Sequence, residues 1–355
     1  MFFTRPPGVK RHPCQPPDHF IVIFAGGISP AKRLNLARPA YYSFILRLVL
    51  RYKRTAHTPN QGPKTMKLVT FTHNHQTRVG AVTDDGLVDS LANPAIPTTM
   101  LALLAAGPSA LQALQTLMDS GIARLPVSAA KLHAPIPRPG KFLGVSLNYA
   151  DHIAETGREP PEFPSFFTKQ STCVIGCGEA IYRPSVSDKL DYEGELAVVI
   201  GKRCRHVPVD KAHQVIAGYM IANDVSVRDW QMRSPTMMIG KSFDTAGPTG
   251  PWLVTPDEVG DPHDLDIKTW VDDELRQNSN TRHMLFNCYQ LIAYLSQAMT
   301  LEPGDVISTG TPSGVGVKMQ PRGYLQPGQT VRIEISGLGV LSNPVVQEPD
   351  NLALY

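Results

Sequence analysis

The sequence predicts an α+β fold in which sheet dominates. Three observations carry that expectation. Short strand-like runs crowd residues 141–348. They do not alternate regularly with helices, so βαβ repeats are not expected. The best amphipathic helical pattern is confined to HMLFNCYQLIAYLSQAMTL, residues 283–301. Across the 355 residues, 42% are apolar and 18% charged, a composition that can fill a large core.

Residues 1–65 look foreign to the rest. They hold eleven of the 34 Lys/Arg but one of the 31 acidic residues, Asp18. The formal charge of +3 therefore hides a basic start and a mildly acidic body. Nothing in that body asks for nucleic acid. No apolar run in the first 65 residues reaches the ~18 needed to span a bilayer, and Arg47 interrupts the longest, so no membrane anchor is expected. A basic, acid-poor start is either a targeting segment or an artefact of start-site choice. Met66 opens a natural strand, so the second is expected, with residues 1–65 lacking a packed fold.

From Met66, KLVTFTH, RVGAVTD and GLVDS read as three strands joined by polar turns. Residues 98–121 read as two helices broken at Gly107-Pro108. The Pro-rich HAPIPRPGK, 133–141, marks a boundary. Residues 66–135 are expected to be a small N-terminal domain, 136–348 the main one and 349–355 a tail. KFLGVSL reads as a strand, and NYADHIAETG as a short helix ended by Gly157. ELAVVIGKRC is a buried strand, and residues 209–229 a helix followed by a strand. The amphipathic helix comes next, then strands with glycine turns in 304–316 and 329–345. Five scattered cysteines without a CxxC pair indicate reduced thiols in a cytoplasmic protein.

Chemistry gathers at a few points. Glu193 and Glu195 are two apart, so on a strand they share a face, with Cβ atoms roughly 6–7 Å apart. They are either a solvated edge pair or oxygen ligands for Mg²⁺, Mn²⁺ or Ca²⁺. Asp224 ends the apolar run VIAGYMIAND and is either a turn residue or a third carboxylate beside them. His152 and Glu155 are three apart, so on a helix they share a face. They form a surface pair or an oriented base. Lys241, in GKSFDTAGPTGPW, is a solvated lysine or a cation for a developing oxyanion. STGTPSGVG lacks the GK[S/T] ending of a phosphate loop, so nucleotide binding is not expected. Its Thr311 could still approach a small anion.

The order of these motifs is more specific than any one of them. LNYADHIAE, DYEGELAVVIGKRCR, GYMIANDVSVRDWQ, GKSFDTAGPTGPW and MTLEPGDVISTGTPSGVG follow one another. This succession resembles the fumarylacetoacetate hydrolase family over about residues 66–348, most strongly from 141 to 317. The resemblance implies a catalytic domain built as a mixed β-sandwich roll, a small N-terminal α/β domain and a homodimer. It places metal ligands at Glu193, Glu195 and Asp224, a His–Glu dyad at His152 and Glu155, and the active-site lysine at Lys241. Gln231 and Thr311 match positions near substrate. Ala246 stands where many relatives have an aromatic residue, and FFTKQ where many read FxKP, which bears on substrate identity.

The reaction expected from the resemblance is metal-dependent hydrolysis of a C–C bond in an acylpyruvate-type 2,4-dioxo acid. Alternatives within the family are decarboxylation of oxaloacetate and isomerisation or hydration of an unsaturated 2-oxo acid from aromatic breakdown. An inactive 2-oxo acid binding protein is the alternative from another class.

Overall fold

The computed structural model describes residues 66–352. The expectation for residues 1–65 lies outside the described residues. The main sheet has eleven strands, nine on one path, with Lys131–Leu132 pairing Lys67–His73 and Val174–Ile175 pairing Gly247–Val254 off it. From one edge its path runs through Gly86–Asp89, Gln76–Thr83, Lys67–His73, Gly247–Val254 and Ile216–Asn223. It continues through Gly194–Ile200, Val306–Ser308, Phe142–Ser146 and Ser165–Lys169. A five-stranded sheet runs Glu274–Asn280, Asp266–Val271, Thr330–Ile335, Gly339–Gln347, Ile181–Arg183. Most pairings are antiparallel, but Val306–Ser308 lies parallel to Phe142–Ser146, and Gly339–Gln347 parallel to Ile181–Arg183. These are the mixed sheets of the expected α+β fold.

Burial explains why particular runs became strands. Every residue of Gly194–Ile200 is buried. A strand covered on both faces has no solvated side, so it reads as a continuous apolar run without alternation. Asp266–Val271 has one wetter face and does alternate. The three N-terminal strands form where their alternation places them. Lys67 and Leu68 pair with Val254 and Leu253, so this segment extends the main sheet. The two expected helices, Met100–Ala106 and Pro108–Asp119, are bent by 111° at Gly107. No single described helix is long and apolar enough to cross a membrane.

Two local differences from the sequence reading have physical causes. Residues Val209–Val215 form a 3-10 turn and not an α-helix. Seven residues with two valines and a preceding proline give little α-helical drive. The amphipathic helix spans only Cys288–Ala298, because Asn287 caps it in a box with Gln290. Cys173, Cys177, Cys204 and Cys288 are all free thiols.

Candidate active site

Glu193 stands just before the central strand Gly194–Ile200. That strand is flanked by Ile216–Asn223 and Val306–Ser308, so neither glutamate lies on an edge. Both are buried, at 6% and 1% exposure, which overturns the solvated-edge alternative. Gly194 pairs with Asn223 in antiparallel register. This register delivers Asp224 beside Glu193, and the Asp224 N–H donates to the Glu193 carbonyl at 2.9 Å. One oxygen from each of Glu193, Glu195 and Asp224 falls within 4.8 Å of the others.

Three buried cations surround these carboxylates. Lys241 Nζ lies 2.6 Å from Glu193 Oε2 and 2.5 Å from Asp224 Oδ2. At 2% exposure Lys241 is not a solvated lysine. Lys169 Nζ lies 2.7 Å from Asp224 Oδ1 and also donates to the Lys241 carbonyl. Arg228 Nη1 lies 2.6 Å from Glu193 Oε1, and its Nε lies 2.8 Å from Asp191 Oδ2. The Arg228 Nη2 is buried without a hydrogen-bond partner among the described residues. Glu195 is treated differently. It accepts from the Ser308 hydroxyl at 2.5 Å and the Gly310 N–H at 2.8 Å, with no ammonium or guanidinium among the described residues in ion-pair contact.

The proton affinities follow from this layout. Burial would raise the Glu193 carboxyl, but Lys241 and Arg228 together hold it well below the usual carboxylate range. Burial, then Asp224 and Glu193, push the Glu195 carboxyl well above that range. Burial opposes the charge on Lys241, yet Asp224 and Glu193 override it and raise its ammonium above the ordinary value. Glu195 is thus the carboxyl of the triad held by neutral donors and not by a cation. An all-oxygen donor set with one carboxylate lacking a cationic partner fits a hard divalent ion such as Mg²⁺ or Mn²⁺.

His152 and Glu155 sit on the helix Ala150–Thr156, capped by left-handed Gly157 at φ 68°. His152 Nδ1 lies 3.0 Å from Glu155 Oε2. The other oxygen, Oε1, accepts from the Gly314 N–H at 2.9 Å. Gly314 has φ 101°, and a Cβ there would overlap the Arg276 carbonyl, so glycine is required at this junction. Asp151 Oδ2 accepts from the Ser279 hydroxyl at 2.7 Å and ties the same helix to the second sheet.

A cavity of about 580 Å³ opens over these groups. His152, Glu193, Glu195, Gln231, Lys241 and Thr311 all line it, so six of the eight residues singled out from sequence face one space. Asp224 lies beneath them at 0% exposure, and Glu155 behind His152. Thr311 spends its hydroxyl on the fold, donating to the Gly194 carbonyl at 2.9 Å and accepting from Gln277 at 2.8 Å. Gln231 accepts from Arg228 Nη1 at 3.1 Å.

The family model described as "Fumarylacetoacetate (FAA) hydrolase C-terminal" matches residues 141–346. The chain belongs to the fumarylacetoacetate hydrolase family. Among its relatives in that family is "Oxaloacetate tautomerase Fahd2a, mitochondrial" of Rattus norvegicus, 41% identical over 294 residues, which cover 81% of this chain and 94% of the rat protein. Two solved family structures are also similar, each matched over 80% of this chain and all of its own. Maleylpyruvate hydrolase from Sphingobium sp. SYK-6, in complex with manganese(II) and pyruvate, has a TM-score of 0.68 at 33% identity. The 5-carboxymethyl-2-hydroxymuconate delta-isomerase from Mycobacterium smegmatis has a TM-score of 0.65 at 35% identity. This family member therefore carries the buried acidic site of a 2-oxo acid enzyme, but its relatives perform different reactions.

Sequence reasoning missed Lys169, Arg228, Asp191 and Ser308. Lys169 left a readable signal. In SFFTK, Phe167 and Lys169 share the inward face, so a lysine stands where a core residue belongs. Arg228 lay in a quoted motif, but nothing in its spacing marks it as buried.

Proposed function

We propose that this protein moves a proton on the carbon beside the 2-oxo group of an oxaloacetate-type 2-oxo acid, interconverting its keto and enol forms. The observation that carries this reading is a base and a cluster of fixed cations facing one cavity. Glu155 binds His152 Nδ1, which leaves Nε2 as the ring atom available for proton transfer. His152 takes the proton from carbon and returns one to oxygen, or the reverse. Negative charge develops on the substrate meanwhile. The Lys241 ammonium and the unpartnered Arg228 Nη2 oppose it in a site where burial strengthens the interaction. Glu193, Glu195 and Asp224 would hold a divalent ion, which supplies Lewis-acid polarisation of the 2-oxo oxygen. Enolisation needs no more than these groups. The likeness to the rat oxaloacetate tautomerase across 94% of its length supports this assignment.

Hydrolysis of an acylpyruvate-type dioxo acid is the second reading. The intact His152–Glu155 pair favours it, because the same base can activate water. One experiment separates the two. Protein expressed from Met66 and loaded with Mn²⁺ is given the enol form of oxaloacetate, and loss of enol absorbance is followed while pyruvate is assayed. Fast enol loss without pyruvate supports the tautomerase. Metal-dependent pyruvate from acetylpyruvate, with oxaloacetate untouched, overturns it in favour of the hydrolase.

A further inference from the structure

The charges lining the cavity are lopsided. Among the described residues, Glu193 and Glu195 are its only acidic lining residues, and both belong to the candidate metal-holding triad. All other fully charged lining residues are basic: Arg158, Arg228, Lys241 and Lys318. Arg228 and Lys241 are committed to the buried carboxylates. Arg158 and Lys318 are not. Both are exposed at the mouth, and neither makes an ion pair among the described residues.

Their positions are fixed by the catalytic framework. Arg158 follows Gly157, the cap of the helix that carries His152 and Glu155. Lys318 ends the turn Gly316–Lys318, where the Gly316 and Val317 N–H groups donate to Asp191 at 2.8 and 2.9 Å. The hydrogen bond from Gly314 to Glu155 joins these two segments. Two unpaired cations are thus carried to one opening by elements that also set the base.

We propose that Arg158 and Lys318 determine specificity by binding a second anionic group at the far end of the substrate, so that the enzyme selects dianionic 2-oxo acids over monoanionic ones. The inference rests on the 2-oxo acid reading above and adds a requirement at the opposite end of the molecule. The 2-oxo end enters toward Lys241 and the acidic triad. The distal carboxylate remains at the rim, where a guanidinium and an ammonium can accept it without desolvating a buried charge. Arginine offers a bidentate fork and lysine a point charge, a combination that tolerates carboxylates at slightly different reach. Because the rim is exposed, this preference weakens as ionic strength rises.

The test compares two 2-oxo acids of equal chain length, the dianion 2-oxoglutarate and the monoanion 2-oxopentanoate. Each is titrated calorimetrically into Mn²⁺-loaded protein, wild type and the Arg158→Gln and Lys318→Gln variants. Wild type is expected to favour the dianion by at least about tenfold, and each variant to lose about tenfold in dianion affinity, the worth of one charge-assisted contact. Affinity for 2-oxopentanoate should stay within about twofold, since no distal charge is there to lose. Equal binding of both acids by wild type, or equal weakening of both by the variants, overturns the specificity role and leaves the 2-oxo acid reading intact. Failure of both acids to bind any form overturns the reading and the inference together.

Discussion

Lys169 and Asp224 form an ion pair that solvent does not reach, with Nζ 2.7 Å from Oδ1 and both side chains at 0% exposure. Lys241 holds the other oxygen of the same carboxylate. Asp224 is therefore clamped from both sides. Removing Lys169 leaves Asp224 with Lys241 as its remaining cationic partner, and breaking a buried pair costs up to about 3–5 kcal/mol. Lys169→Met should lower the urea midpoint by a matching amount. Mn²⁺ should then stabilise the variant more than wild type, because the ion replaces the missing positive charge. An unchanged midpoint would show that Asp224 does not need Lys169.

Lys241 is placed to act on substrate as well as on the carboxylates. Lys241→Ala should lower kcat by about 10²–10³, the usual cost of losing one fixed donor to a developing oxyanion. Lys241→Arg keeps the charge but not the shape, and should recover only part of the rate. Near-normal turnover of the alanine variant would remove Lys241 from the reaction.

The His152–Glu155 pair makes a separate prediction. His152→Gln should lower kcat by about 10²–10⁴ while Mn²⁺ affinity stays unchanged, since His152 acts as a base and not as a ligand. Glu155→Gln should cost less, because the amide oxygen and nitrogen can still bond the Gly314 N–H and orient the His152 ring. Electron paramagnetic resonance of bound Mn²⁺ checks the affinity, and stopped-flow kinetics the rate. A fall in Mn²⁺ affinity for His152→Gln would contradict this division of labour.

How much of this was legible depends on what each residue does. Glu193, Glu195 and His152 announced themselves through i,i+2 and i,i+3 spacing, which fixes a shared face whatever the tertiary fold. The cluster as a whole was not legible that way. Asp224 reaches Glu193 only through the pairing of Gly194 with Asn223, and strand register across 29 residues is not written in local periodicity. The buried cations were harder still. A lysine or arginine in a short motif defaults to solvent. Lys169 and Arg228 become interior only because carboxylates from distant strands receive them. The motif order carried the family, while the charge layout of the site needed coordinates.

Acid should expose a second ion pair, far from the cavity. Arg78 holds the Asp89 carboxylate through two contacts between neighbouring strands. Burial pulls the Asp89 carboxyl upward, but the hydrogen bond and charge of Arg78 win and leave it below its ordinary value. A lowered folded-state value means stability that is present above the unfolded carboxylate range and lost as pH falls through the folded value. Arg78→Met should therefore lower the melting temperature near neutral pH but narrow its gap to wild type near pH 3. A gap that stays constant down to that pH would mean the pair contributes by packing and not by charge.

The glycine between the two glutamates supplies the last prediction. A Cβ at Gly194 would overlap Thr269 Oγ1 and stand 3.2 Å from Gln277 Oε1 and 3.3 Å from Ile333 Cγ2. Glu193-Gly194-Glu195 thus lies against the second sheet with no room for a methyl group. Gly194→Ala should cost about 3 kcal/mol, the upper end of ordinary overpacking, and weaken Mn²⁺ binding because both flanking carboxylates must shift. Thr269 offers a remedy, since its hydroxyl has no hydrogen-bond partner among the described residues and can be removed at little cost. Gly194→Ala combined with Thr269→Ala should recover much of the lost stability and Mn²⁺ affinity, a non-additivity that a double-mutant cycle measures directly. Additive losses would mean that close packing behind the glutamates does not set the position of their carboxylates.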